Sequence, residues 1–295
     1  MQRRKLEELS LMDDFLFNAM LTHPETGEKF TNKILKLLFN REFKNLRVSA
    51  QKVYAGMNTD LRGARLDVCI EGDCVSIEGD EIPSVYDVEP DQNNKEKDIA
   101  AFPRRSRFYH AIIDSRSLKS GEDFGKLKQV YVIFICNYDP FGYDRVLYTI
   151  KNRCLEEPEM NYDDGAETIV LYTKGTKGTI SEGLRQFLNY MENTDQNNAV
   201  NEDLKDIQKM VDVVKRDGEV SLQYMKNFEH DQLMYAQGEA AGREDGLRAG
   251  RLAEIKNTER EKKRADMAES RADMAQSRIK ELEAELKKYR EKPTA

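Results

Sequence analysis

The sequence predicts an α/β protein: a mixed sheet flanked by helices, followed by a helical region and a C-terminal coiled-coil-like helix. Three observations carry this reading. Strand-like apolar runs fall only between residues 47 and 172. Apolar residues at helical spacing precede and follow that stretch, and strand signals cease from Glu182 onward. A seven-residue repeat then marks the tail, RADMAES at 264–270 followed directly by RADMAQS at 271–277.

Taken in order, 9–39 reads as two helices. Phe15, Leu16, Ala19 and Met20 share one helical face, Ile34, Leu35, Leu37 and Leu38 another, and His23-Pro24 separates them. Asp13 and Asp14 suit a first turn. Strands are expected at 47–55, 64–71, 85–89, 129–137, 145–150 and 168–172. The run VYVIFICN has no polar alternation, as in a strand covered on both faces. Between the third and fourth strands a helix is expected to begin near Pro103, with Tyr109, Ile112 and Ile113 on one face. Leu184, Phe187 and Leu188 give one later stripe, and Leu204, Ile207, Met210, Val211 and Val214 a second. The domain boundaries expected are 1–196 for the sheet-bearing domain, 197–237 for a helical extension, and 238–295 for a glycine-repeat helix with a charged tail.

Gly238, Gly242, Gly246 and Gly250 recur every four residues, either as a ridge open to another backbone or as a frayed linker. Beyond them Ala265, Ala268, Ala272, Ala275, Ile279, Leu282, Leu286 and Tyr289 step by three and four. That is a coiled-coil seam and predicts a homo-oligomer through the C-terminal helix; the alternative is a lone solvated helix, since alanine buries little area.

The chain has 295 residues, 39% hydrophobic and 34% charged, with a mean hydropathy of −0.75, which allows a sizeable core beside a polar appendage. Its net charge of −7 offers no uniform basic surface, so any nucleic-acid partner needs a local patch. No apolar run approaches the ~20 residues of a membrane span, and the start lacks the apolar stretch of a signal peptide; a cytoplasmic protein without membrane partners is expected. Cys69, Cys74, Cys136 and Cys154 form no CxxC pair, and His23, His110 and His230 are far apart in sequence, which argues against structural zinc and a disulfide framework. GTKGT at 175–179 lacks phosphate-loop spacing, and no serine, histidine and acid group together for acyl transfer.

Chemistry concentrates around RLDVC at 65–69 and YDVEPD at 86–91. Alternation along an extended strand sets Asp87, Glu89 and Asp91 on one face, and Asp67 falls in the middle of an expected core strand. A buried carboxylate there needs a positive companion, and two adjacent strands with inward acids suit Mg²⁺ held with water and phosphate oxygens. From residue 58 to 94 two basic residues stand against ten acids, and from 95 to 130 nine stand against five. Arg104, Arg105 and Arg107 are expected on the first turn and a half of a helix, where guanidinium groups and the helix N-terminus meet phosphates. A solvated hairpin rim and a surface salt-bridge network are the competing explanations.

The order LMDDFLFNAML, RLDVCIEGD, YDVEPDQ and FPRRSRFYHAIIDSRSLKSGEDFGKLKQVYVIFIC resembles the recombination-promoting nuclease/putative transposase family of the PD-(D/E)XK nuclease superfamily, over roughly 9–239. The resemblance implies a restriction-endonuclease-like core and a metal-dependent endonuclease that cleaves DNA with Mg²⁺ or Mn²⁺, linked to recombination or transposition. It implies that Asp67 is the metal-binding aspartate and Glu89 the first member of the Glu-x-Gln (superfamily Glu-x-Lys) element. The chain departs two residues later, where Asp91 stands instead of Gln or Lys and Gln92 follows. A carboxylate cannot stabilise developing phosphate charge as lysine does. A bulge presenting Gln92, Lys95 or Lys97 reaching back, or Asp91 as a further metal ligand would compensate. Asp14, in a first helix that often supplies another acid in this superfamily, is a further candidate. The alternatives are a catalytically degenerate nuclease-fold module for nucleic-acid binding or assembly, and a coiled-coil interaction protein whose globular part is a scaffold.

Overall fold

The structure, a computed structural model, describes residues 4–54, 64–76 and 79–290, apart from the side chains of 50–68 and 288–290. Six strands, β1 (Phe43–Tyr54), β2 (Ala64–Val75), β3 (Glu81–Asp91), β4 (Gln129–Cys136), β5 (Leu147–Ile150) and β6 (Ala166–Tyr172), form one mixed sheet in the order β1-β2-β3-β4-β6-β5. β1, β2 and β3 run antiparallel in succession, β3, β4 and β6 run parallel, and β5 pairs antiparallel with β6 at the edge. Six α-helices accompany them: α1 (Asp14–Thr22), α2 (Gly27–Phe39), α3 (Glu96–Asp114), α4 (Glu182–Glu192), α5 (Glu202–Arg216) and α6 (Gly218–Arg290). The predicted α/β class and mixed sheet are therefore present, with α3 as the crossover that joins parallel β3 and β4.

The pleat sorts the core into two layers. Tyr86, Val88, Ile133, Ile135 and Leu171 pack with residues of α1, α2, α4 and α5. Cys69, Val85, Val132, Phe134 and Val170 pack with Phe102, Ile112 and Ile113 of α3. β4 is buried by both layers, which accounts for its unbroken apolar run.

Two elements differ from expectation. α3 begins at Glu96, seven residues before Pro103. Glu96 and Asp98 favour the positive end of the helix, and buried Phe102 anchors the early turns to the sheet, so the proline sits inside the helix. The other concerns α5, expected within an extension. Leu204, Ile207, Met210, Val211 and Val214 are all buried in the α1 layer. At about 1.5–3 kcal/mol per side chain, detaching α5 forfeits on the order of 10 kcal/mol, comparable to the whole stability of a domain. The chain accordingly divides into Met1–Lys226 and Asn227–Ala295, and the expected boundaries at 196 and 237 fall elsewhere.

The second unit is helical. α6 runs without a break through the four-spaced glycines, so these are not a frayed linker, and nothing lies within 4 Å of where their Cβ atoms would stand. Every described residue from 231 to 287 is exposed. Among the described residues no helix is long and apolar enough to cross a membrane.

Candidate functional site

The end of β3 carries three acids into the interior. With Val85 and α3 on one side and Tyr86 and Val88 facing the other helices, alternation sets Asp87, Glu89 and Asp91 toward α3. They are 0%, 7% and 5% exposed. Burial at that depth requires compensation, and for Asp91 the structure supplies it. Arg105 of α3 forms a charge-assisted hydrogen bond to Asp91 Oδ2, the Tyr138 hydroxyl donates to the same oxygen at 3.0 Å, and the Asn93 amide donates to Oδ1 at 2.8 Å. The Arg105 guanidinium also lies 5.2 Å from the ring centre of Phe102 and 5.0 Å from that of Phe134. Burial pulls the Arg105 pKa down, but the Asp91 carboxylate outweighs it, so the guanidinium is held above the usual arginine value. Burial, with Cys136 and Asp91 adding to it, pushes the Tyr138 phenol up and keeps it a donor.

A cleft of about 420 Å³ opens at this end of the sheet, lined by Asp13, Asp14, Glu89, Asp91, Gln92 and Arg105, with Pro90 and Asn93 between them. The start of α1 supplies two of its acids. Asp13 precedes the first helical residue and is held by Arg4 and by the Ser10 amide at 2.8 Å. Asp14 opens the helix, where its charge suits the dipole. Gln92 stands just past β3. Its Nε2 donates to the Met12 carbonyl at 2.6 Å and its Oε1 accepts from Asn137 Nδ2 at 3.4 Å, which ties the strand end to the approach to α1 and to the segment after β4.

The sequence-predicted residues are thus only partly gathered. Glu89, Asp91 and Gln92 line the cleft with Asp14, while Lys95 and Lys97 are exposed at the start of α3 and do not line it. Asp67 lies on β2, next to β3 in the sheet, and its side chain falls outside the described residues. The three arginines are not in the first turns of α3, because that helix starts at Glu96; its N-terminal amides do not stand beside them. Arg105 turns inward to Asp91, whereas Arg104 and Arg107 are exposed. Two features escaped the sequence reading. The Arg105–Asp91 pair bridges fourteen residues, and its only sequence signal is that Arg105 follows buried Phe102 at i+3. The second is a hydroxyl chain between α3 and β6, in which Thr168 Oγ1 lies 2.7 Å from Ser106 Oγ and 3.0 Å from His110 Nε2. Burial there depresses the His110 pKa.

Among the described residues no group of three or more His, Cys, Asp or Glu side chains has metal-binding geometry. The donors a hard divalent ion would use here are Glu89 and Asp14 in the cleft, with Asp67 on the neighbouring strand. No family model, curated protein or solved structure matches the chain.

Proposed function

We propose that the unit Met1–Lys226 is a metal-dependent DNA endonuclease of the PD-(D/E)XK type that hydrolyses phosphodiester bonds, with a role in recombination or transposition. One observation carries the reading: buried Glu89 at the end of a core strand lines an acidic cleft with Asp14, beside the strand that bears Asp67. The β2–β3 pairing ends at Cys69 with Asp87, and the same register carried two residues further would set position 67 opposite position 89. Two carboxylates completed by water and phosphate oxygens fit Mg²⁺ or Mn²⁺, which when bound lowers the pKa of water and offsets charge on the phosphoryl oxygens. Glu89 and Asp67 are the holders, and Asp14 lies across the cleft. Asp91, engaged by Arg105, Tyr138 and Asn93, serves as the anchor that keeps a guanidinium at the cleft wall. Arg105 is the one cation among the described lining residues and takes the place of the superfamily lysine. Gln92 positions the strand end, and Arg104 and Arg107 face the DNA backbone.

The absence of a lysine at position 91 favours a second reading, a catalytically degenerate module that binds nucleic acid or serves assembly. A plasmid-nicking assay decides between them. The nuclease reading expects nicking with Mg²⁺ or Mn²⁺ that is abolished by EDTA and by Asp67→Ala or Glu89→Ala in folded protein. Wild-type nicking by either variant refutes the site, and absent nicking with retained DNA binding selects the degenerate module.

A further inference from the structure

The last part of α6 presents an apolar seam with no cover in its own chain. Ile279, Leu282 and Leu286 are 54%, 45% and 55% exposed, and they occupy a, d and a positions of the heptad frame set by the repeat. A solitary helix leaves this stripe in water. We propose that residues 264–290 pair with a second copy of the chain as a parallel, in-register, two-stranded coiled coil.

The charges beside the seam select both the occupant and the direction. Arg264, Arg271, Arg278 and Glu285 fall at g, and Glu269, Gln276, Glu283 and Arg290 at e. In a parallel in-register pair each g residue meets the e residue five positions on in the partner. Arg264 then faces Glu269, Arg278 faces Glu283, Glu285 faces Arg290, Arg271 faces the neutral Gln276, and each contact occurs twice. A fully overlapped antiparallel pair sets g against g and e against e; it keeps Arg264 with Glu285 and Glu269 with Arg290 but sets Arg271 against Arg278 twice, a repulsion the parallel pair lacks. The heptad with Ile279 at a and Leu282 at d is also the combination that favours two parallel strands. Arg264 and Arg278 are engaged within the single helix by Glu261 at 3.0 Å and Glu281 at 2.9 Å. Those pairs are fully solvated neighbours three residues apart and yield readily to interchain partners. Pairing stops near 264, because extending the frame upstream sets Glu261, Thr258 and Glu254 on the seam.

The test uses the full chain with Cys154→Ser, since Cys69, Cys74 and Cys136 are buried. One variant carries Ala272→Cys and another Leu282→Cys. In the parallel register each cysteine faces its own copy, so each variant forms a disulfide dimer alone, and a mixture of the two, one of them mass-tagged, gives no 272–282 cross-link. The antiparallel register would give the reverse: cross-linking only in the mixture, which overturns the orientation. Light scattering is expected to give twice the chain mass. A monomeric mass without cross-links, or a dimer that forms neither cross-link, overturns the seam itself. Glu283→Arg is expected to weaken the dimer by roughly tenfold, and adding Arg278→Glu to restore it; a double variant as weak as the single one removes the charge pairing from the interface.

Discussion

Replacing Arg105 with methionine keeps an unbranched stem over Phe102 and Phe134 while deleting the charge that faces Asp91. Removing one partner of a fully buried ion pair costs about 3–5 kcal/mol, mostly because the other charge is stranded. Two features of this pair reduce that figure. The Arg105 side chain is 30% exposed, so solvent already screens the attraction, and Asp91 keeps the Tyr138 hydroxyl and the Asn93 amide. A loss of about 2 kcal/mol follows, which for a unit of this size lowers Tm by about 4–8 °C. Asp91→Asn should cost only about 1 kcal/mol, since the part-exposed guanidinium can turn to water. The double variant should then lose about 1–1.5 kcal/mol less than the sum of the two. Urea unfolding of the full chain, followed by circular dichroism for all four proteins, measures the cycle. Additive losses, or an Arg105→Met cost below about 0.5 kcal/mol, would show that the pair is not a structural anchor of the cleft.

Three further expectations follow from other parts of the structure. A Cβ on Gly175 would lie 2.5 Å from the Val146 amide nitrogen and 2.6 Å from its Cα, so Gly175→Ala should destabilise by about 2 kcal/mol or more; an unchanged melting curve would mean that this backbone approach is not made. Burial holds the His110 pKa below its ordinary 6.5, so the stability present above that value is lost as pH falls through the folded pKa. Going from about pH 7.5 to 5, the wild type should therefore lose more Tm than His110→Gln, which retains a partner for Thr168, and parallel losses would refute the assignment. Under the nuclease reading, Arg104→Ala with Arg107→Ala should weaken DNA binding across all sequences and flatten its salt slope by about one unit per contact; an unchanged slope removes this face of α3 from the interface.

The sheet was legible because its signals are local. The unbroken apolar run of β4 reports burial on both faces and the alternating acids of β3 report an extended strand, and each of the six expected strands overlaps an observed one. α3 was misplaced at its start because proline is read as a first helical residue, while the tether that carries this helix past Pro103 is tertiary, the packing of Phe102 on Phe134. The role of α5 was hidden for a similar reason: its stripe was visible, but the surface it covers lies near the chain's other end. Asp91 was read as a departure from a motif. Its partner, fourteen residues away on a helix whose phase was wrong, could not be paired with it from sequence.

The attachment of α5 and the start of α6 to residues 4–9 bears on how the protein is made. Lys215 Nζ of α5 donates to the carbonyls of Glu7 and Leu9 at 2.9 and 2.7 Å, and the Tyr224 hydroxyl of α6 donates to the carbonyl of Arg4 at 2.9 Å. These partners are separated by 206 to 220 residues of sequence. At ~5–20 residues per second, this earlier segment waits roughly 10–40 s for its cover to be synthesised. During that interval Leu6, Leu9 and Leu11, all buried in the finished fold, have no α5 to lie against. The nascent chain therefore carries an uncovered apolar segment until α5 has been made, and that segment is the one a chaperone would guard.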